Sequence, residues 1–231
     1  MPTVTAVAHR GVPYLARENT LDSLRLALDM GADAVEFDVR LTRDRLPVVL
    51  HDETLERLWG HKRALRSLTA KEVAELTGGR VPTLAEALEA TGRSRVMLDV
   101  PGATAVDVRH IVSVVHECGA AERSYYTAAA QQMLHVRAAD PQAEIALTWT
   151  TLAPPRPAVL DAIAPRWLNY RFGLVDRDLA KRVHDGGHLL SVWTPDMRRT
   201  MRRLLALGVD SITTNRLDTL LSLRAGAVAG R

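Results

Sequence analysis

Short apolar runs alternate with longer amphipathic ones along almost the whole chain, and that alternation constrains the fold more than any single residue does. Strand-like runs fall at residues 4–8, 34–41, 96–100, 124–127, 145–148, 167–170, 188–193 and 210–214. Helical patterns lie between them, near 21–30, 105–117, 129–138, 158–164, 177–185, 197–207 and 217–224. In these, apolar residues recur three and four apart, as at Leu21, Leu24 and Leu28. Two further helices are expected to start at capping boxes, Thr69 with Glu72 and Thr83 with Glu86. Strand and helix repeated about eight times favour parallel pairing with helices outside. Eight such units in 231 residues suit a compact (β/α)8 TIM barrel, read as one domain over 1–231. A doubly wound sheet is the alternative, but GVPYLAREN after the first strand is neither a GxGxxG segment nor a P-loop.

Composition narrows the function classes. A hydrophobic content of 47% with 25% charged residues describes a soluble globular chain, neither disordered nor membrane-embedded. The formal charge of +3 is too small, without a basic block interleaved with aromatics, to argue for nucleic acid as a partner. The single cysteine, Cys118, excludes an intramolecular disulfide framework and a cysteine-based zinc site. No run approaches the length needed to span a bilayer. The start, MPTVTAVAHRG, has neither a basic region nor a long apolar stretch, so a cytoplasmic protein without stable membrane insertion is expected.

The chemistry concentrates at the ends of the early apolar runs. Glu36 and Asp38 are two apart in AVEFDVRL, so they face one side of a strand while Val35, Phe37 and Val39 face the other. Both faces of a parallel strand are buried, and two buried carboxylates side by side need compensating charge. A divalent cation suits such hard oxygen ligands, Mg2+ or Ca2+. A structural ion pair with Arg40 or Arg10 is the alternative. Asp99 ends RVMLD, where the next strand reaches the same rim, and gives a candidate third ligand; a turn-forming Asp before Pro101 and Gly102 is the other reading. His9 and His51 follow TAVA and PVVL, which places both at strand C-terminal ends, where barrel enzymes carry catalytic groups. Imidazole exchanges protons near neutral pH, so the two serve as a candidate acid/base pair. Of the other histidines, His110, His116, His135 and His184 lie in helical patterns, His61 in a polar loop, and His188 opens a strand.

AHRG followed by ENT, then GADAVEFDVRLT and PVVLHD, resembles the glycerophosphodiester phosphodiesterase family, and VPTLAEAL, SVWTPD and GVDSITTNRLD continue the match in order. The resemblance implies a (β/α)8 barrel that hydrolyses small-molecule glycerophosphodiesters to an alcohol and glycerol 3-phosphate with a divalent cation. It implies His9 and His51 as the acid/base pair, Glu36, Asp38 and Asp99 as metal ligands, and Arg10 as a contact to phosphate. It places Trp193 at the glycerol end of the pocket and gives Glu18 and Asn19 supporting roles behind the ligands. The attacking hydroxyl is either water or the substrate's own glycerol hydroxyl, and the resemblance favours the internal attack, through a cyclic phosphate.

The chain departs from the pattern in several places. The third strand reads Asp99, Val100, Pro101 where the family usually has Glu-x-Lys, so a lysine near the phosphate is missing. Pro195–Asp196 replaces the usual Asn after the Trp-Thr pair, Arg45 stands where a turn glycine is usual, and Asn215 where an Asp is. Residues 54–81 leave no room for a large insertion and are expected to cap the barrel mouth with a loop and helix, near Trp59 and His61. Two other functions fit the same centre. One is a phospholipase D-like enzyme on lysolipid or sphingolipid headgroups, which needs an apolar rim that no Trp/Phe-rich loop signals. The other is a binding module that has lost activity.

Overall fold

The computed structural model describes residues 4–229. The expected domain, 1–231, includes residues 1–3 and 230–231, which lie outside the described residues. In chain order the strands are β1 (Thr5–His9), β2 (Ala34–Leu41), β3 (Pro47–Val49), β4 (Arg95–Asp99), β5 (Ser124–Ala128), β6 (Glu144–Trp149), β7 (Trp167–Arg171), β8 (Leu189–Trp193) and β9 (Ser211–Thr214). The helices are α1 (Leu21–Asp29), α2 (Glu56–Trp59), α3 (Ala70–Thr77), α4 (Leu84–Ala90), α5 (Ala105–Glu117), α6 (Ala130–Ala139), α7 (Pro157–Ile163), α8 (Arg177–Asp185), α9 (Arg198–Ala206) and α10 (Leu217–Ala229). All strands but β3 run parallel and close into a ring, because β1 pairs with both β2 and β9. The chain is a (β/α)8 TIM barrel.

Parity sorts the strand residues into two environments. Val35, Phe37 and Val39 of β2 point outward into a core shared with Leu24 and Ala27 of α1 and Leu84 and Leu88 of α4. Each fully buried side chain of this size contributes about 1.5–3 kcal/mol relative to exposure. Inside the ring the N-terminal half is plugged by Val7, Ala34, Met97, Tyr125, Ala146 and Trp167. The C-terminal half is polar, and that half becomes the site.

Helix starts are fixed by local chemistry. The Thr69–Glu72 and Thr83–Glu86 boxes both form, with each Thr backbone N–H donating to its Glu at 2.8 Å. A third box, Thr104 with Asp107, opens α5. It escaped notice in the sequence because Asp is shorter than the Glu or Gln usual at that position.

The segment PVVLH corrects one expectation. His51 does not end a barrel strand: Pro47–Val49 forms the antiparallel β3, appended to the C-terminal half of β2. Three residues beginning with proline carry no periodicity, so the run reads like any other buried strand. Its outer face has its own small core, in which Val48 and Leu50 pack with Leu55, Leu65, Leu68, Val73 and Val81. The segment after it bears on the β1–α1 loop, where the Arg17 guanidinium lies 4.4 Å from the Trp59 ring. Among the described residues no helix is long and apolar enough to cross a membrane.

Candidate active site

The turn after β1 brings the first group of residues together. His9 is the last residue of β1 and pairs in register with Glu36. Arg10 and Gly11 both take left-handed conformations, φ 55° and 83°. Gly11 is obligatory there, since a Cβ would sit 2.3 Å from Ser23 Oγ. Ser23 holds the turn, accepting from Val12 N at 2.8 Å and donating to Arg10 O at 3.1 Å. Asn19, also left-handed at φ 58°, donates its backbone N–H to Arg10 O at 3.0 Å. Its carboxamide then reaches Asp38 Oδ2 at 2.8 Å. Two non-glycine residues held at positive φ beside one carboxylate mark a backbone constrained for chemistry.

Glu36, Asp38 and Asp99 form one cluster, each offering an oxygen within 4.8 Å of the others. Asp38 and Asp99 are direct cross-strand partners, an arrangement that repels unless a cation intervenes. Burial, and then the charges of Asp38 and Asp99, push the Glu36 carboxyl well above the ordinary range. Burial, and then the Asp38 charge, push Asp99 up to about 8, although this residue keeps some exposure at the mouth. Arg10 only partly compensates. Its Nε lies 3.1 Å from Asp38 Oδ2 as an ion pair without hydrogen-bond alignment, and its backbone N–H donates to Glu36 Oε2 at 3.0 Å. A cluster of three carboxylates, two of them (Glu36 and Asp99) with raised proton affinity, fits a hard divalent cation. Arg40, the other candidate partner, acts on Asp99 through its charge and donates Nε to His51 O at 2.6 Å.

A chain of charges supports this cluster from outside. Glu18 accepts from Arg10 Nη1 at 3.0 Å and from Arg57 Nη2 at 2.6 Å. Burial would raise Glu18, but the Arg57 and Arg10 contacts outweigh it and hold the carboxyl below its usual range. Arg57 also donates Nε to Asp52 at 2.6 Å, and Asp52 lies 2.6 Å from His51 Nδ1. His51 stands on the loop after β3, brought beside Asp38 by the bond from Leu50 N to Asp38 O at 3.0 Å. His9 lies beside Glu36, with Nε2 3.9 Å from Glu36 Oε2 and Nδ1 2.7 Å from Asn215 Oδ1. Burial, then the Arg10 charge, hold the His9 imidazole below its ordinary range.

A cavity of about 270 Å3 opens beside His9, Glu36 and Asp99, walled by Trp193, Pro101, Gly102 and Gln132 and floored by Thr127, Thr148, Asn169 and Thr213. His51 is not among its lining residues. Asn169 donates to Thr148 Oγ1 at 3.1 Å, and Ser191 donates to Asn169 Oδ1 at 2.9 Å, so the floor is a connected polar layer. The buried Trp193 indole N–H has no protein partner among the described residues. The floor residues and the partners Asp52, Arg57 and Asp196 went unassigned from sequence. Inward parity on β5, β6 and β7 is the signal that marks Thr127, Thr148 and Asn169.

Around the mouth, the loops carry exposed apolar side chains that the sequence did not signal. Tyr14 (67%) and Leu15 (65%) follow β1, Leu152 (64%) follows β6, and Met197 (71%) precedes α9. Four of the six remaining histidines have structural partners: His116 meets Asp140 and His184 meets Asp210, both at 2.8 Å, while His61 and His188 meet backbone carbonyls. Cys118 is an exposed thiol at the end of α5.

The model of the "Glycerophosphoryl diester phosphodiesterase family" matches residues 9–219. A glycerophosphodiester phosphodiesterase of Caldanaerobacter subterraneus subsp. tengcongensis is 27% identical over 94% of this chain and 96% of its own length. The crystal structure of a glycerophosphodiester phosphodiesterase from Thermotoga maritima superposes with a TM-score of 0.81 at 20% identity, covering 96% of this chain and 99% of that one. An Oleispira antarctica phosphodiesterase, solved with the product sn-glycerol-3-phosphate, superposes at 0.83 with 20% identity over 95% and 96%.

Proposed function

The chain belongs to the glycerophosphoryl diester phosphodiesterase family, and on that premise we propose that it cleaves small glycerophosphodiesters to an alcohol and glycerol 3-phosphate by acid–base catalysis between His9 and His51. The observation that carries this reading is the position of the acids: Glu36, Asp38 and Asp99 cluster together, and Glu36 and Asp99 line one cavity with His9. Glu36, Asp38 and Asp99 hold the cation, Mg2+ or Ca2+, which when bound supplies positive charge against the phosphate. Arg10 adds a second, permanent cation. Burial works against its charge, but Asp38, Glu36 and Glu18 outweigh that and keep it more firmly protonated than a free arginine. Its Nη2 remains for a phosphate oxygen. One histidine takes the proton of the attacking hydroxyl as the new P–O bond forms. The other gives a proton to the leaving alcohol as the old P–O bond breaks. Trp193 and the Thr127–Thr148–Asn169 floor offer an apolar wall and hydroxyl-matching groups to the glycerol moiety, while Glu18 and Asn19 hold Arg10 and Asp38 in place.

A panel of glycerophosphodiesters assayed with Mg2+, with Ca2+ and after chelation tests this reading. His9→Ala is expected to lower kcat roughly 10²- to 10⁴-fold. Turnover near that of the unaltered chain, or hydrolysis indifferent to chelation, overturns it. A cytoplasmic location belongs to the same reading, and recovery of a tagged chain outside cells would oppose it.

The exposed rim favours a second substrate class for the same centre. Tyr14, Leu15, Leu152 and Met197 on the loops around the mouth suit the acyl chain of a lysophospholipid. Under that reading Leu15→Glu and Met197→Glu lower activity on lysophosphatidylcholine several-fold and leave glycerophosphocholine hydrolysis unchanged; equal effects on both substrates remove it.

A further inference from the structure

We infer that Asn215 and Asp196 are positioning residues that fix which nitrogen of His9 carries hydrogen, so that the Nε2 lone pair faces the reacting hydroxyl and His9 acts first as the base. The inference rests on the reading of His9 as a proton-transfer group. Its geometry comes from two loops at the C-terminal end of the barrel, one after β8 and one after β9. Asn215 Nδ2 donates to Asp196 Oδ2 at 2.8 Å, and Asn215 N donates to Asp196 Oδ1 at 2.9 Å. The Thr214 hydroxyl, buried, lies 3.0 Å from the same Oδ1 and 2.8 Å from Pro195 O. On the far side of the carboxamide, Asn215 Oδ1 lies 2.7 Å from His9 Nδ1.

Donor and acceptor chemistry leaves one consistent assignment. An ionised carboxylate only accepts, so the amide must turn its NH2 to Asp196 and its oxygen to His9. An amide oxygen cannot donate, so Nδ1 of His9 supplies the hydrogen. In a neutral imidazole the other nitrogen is then a bare acceptor. That nitrogen, Nε2, is the one on the Glu36 side of the ring, and His9 lines the cavity. Protein chemistry thus settles an amide orientation that usually has to be assigned from its surroundings. In the first step the hydroxyl proton passes to Nε2 while its oxygen bonds to phosphorus. The electron pair of the breaking P–O bond leaves with the alcohol oxygen, which takes a proton from His51. Nδ1–H stays on Asn215 Oδ1 throughout, so the ring does not turn as it gains charge.

The test uses the full chain labelled with 15N-histidine, with long-range 1H–15N correlations recorded at about pH 8, above the ordinary imidazole range. The His9 signals are assigned by their loss in His9→Gln. In the unaltered protein His9 is expected to be protonated at Nδ1. Asp196→Asn frees the carboxamide at 215 to flip, and Asn215→Ala removes the acceptor; both should give mixed tautomers. Both should also lower kcat roughly 10- to 100-fold, the scale seen when a hydrogen-bond partner that orients a site histidine is lost, with KM changed less than about threefold. The exchanged pair Asp196→Asn/Asn215→Asp again sets an acid against an amide, with a carboxylate oxygen facing His9. It should restore Nδ1 protonation and regain at least about fivefold in kcat over Asp196→Asn. Protonation at Nε2 in the unaltered protein overturns the inference. So does a tautomer that stays unchanged in both single variants while only the melting temperature falls, since that marks a plain structural link between the loops. If no glycerophosphodiester is hydrolysed but the tautomer follows this pattern, the relay stands and the proposed reaction fails.

Discussion

At the scale of single residues, the three acids set the behaviour of the site toward protons and cations. An acid whose pKa rises on folding holds its proton more tightly in the folded chain. The folded state is therefore favoured at low pH and loses stability as pH climbs from the unfolded carboxylate value, near 4, through the folded one. For Asp99 that window ends at about 8. In chelator, urea midpoints measured across this window should fall more for the unaltered chain than for Asp99→Asn, whose side chain cannot ionise; parallel curves would oppose the raised value. Cations compete for the ionised form, so Mg2+ or Ca2+ affinity should rise with pH up to about 8 and binding should release protons. Calorimetry in buffers of different ionisation enthalpy measures both. Gly11→Ala is a sharper local test. It forces a Cβ against Ser23 at φ 83° and should cost about 2–5 kcal/mol, displacing Arg10 and Asn19 from the acids along with it.

At the scale of elements, legibility followed periodicity. Ala105–Glu117 and Arg177–Asp185 are helices over the residues that their spacing indicates, and the parity of β2 correctly separates Glu36 and Asp38 from Val35 and Phe37. The early apolar runs marked where His9 and the acids sit. They could not show that Pro47–Val49 turns back antiparallel, because three residues carry no period and the turn is made by Arg45, at φ 67°, rather than by a glycine. Arg45→Gly relieves a left-handed arginine and should stabilise the chain by about 1 kcal/mol, read as a higher urea midpoint; Asp107 keeps its 2.8 Å contact with Arg66. Removing the overlooked cap with Thr104→Ala should cost about 1 kcal/mol and leave turnover unaltered. The polar floor was illegible for a different reason. Thr127, Thr148, Asn169 and Ser191 come from different strands, and only barrel closure makes them neighbours.

At the scale of the whole molecule, the two histidines rest on foundations of unequal strength. His9 ends a strand inside the closed ring, paired on both sides by β2 and β9. His51 rides on the short β3 and a separate cluster of seven buried apolar residues, outside the ring. A ligand that binds only the folded chain stabilises it by about 2.7 kcal/mol at a hundredfold excess over Kd. Mg2+ or Ca2+ should therefore raise the melting temperature, and Asp38→Asn should abolish that rise. A cation held by Glu36, Asp38 and Asp99 would grip β2 and β4, however, and not the segment that carries His51. Small clusters on the edge of a fold open more readily than closed sheets. Denaturant should consequently silence this barrel before it unfolds it: activity fades at urea concentrations where the ring, followed by hydrogen exchange of β5 to β8, is still intact. The hairpin then works as a fuse, a place where the chemistry disconnects while the scaffold survives.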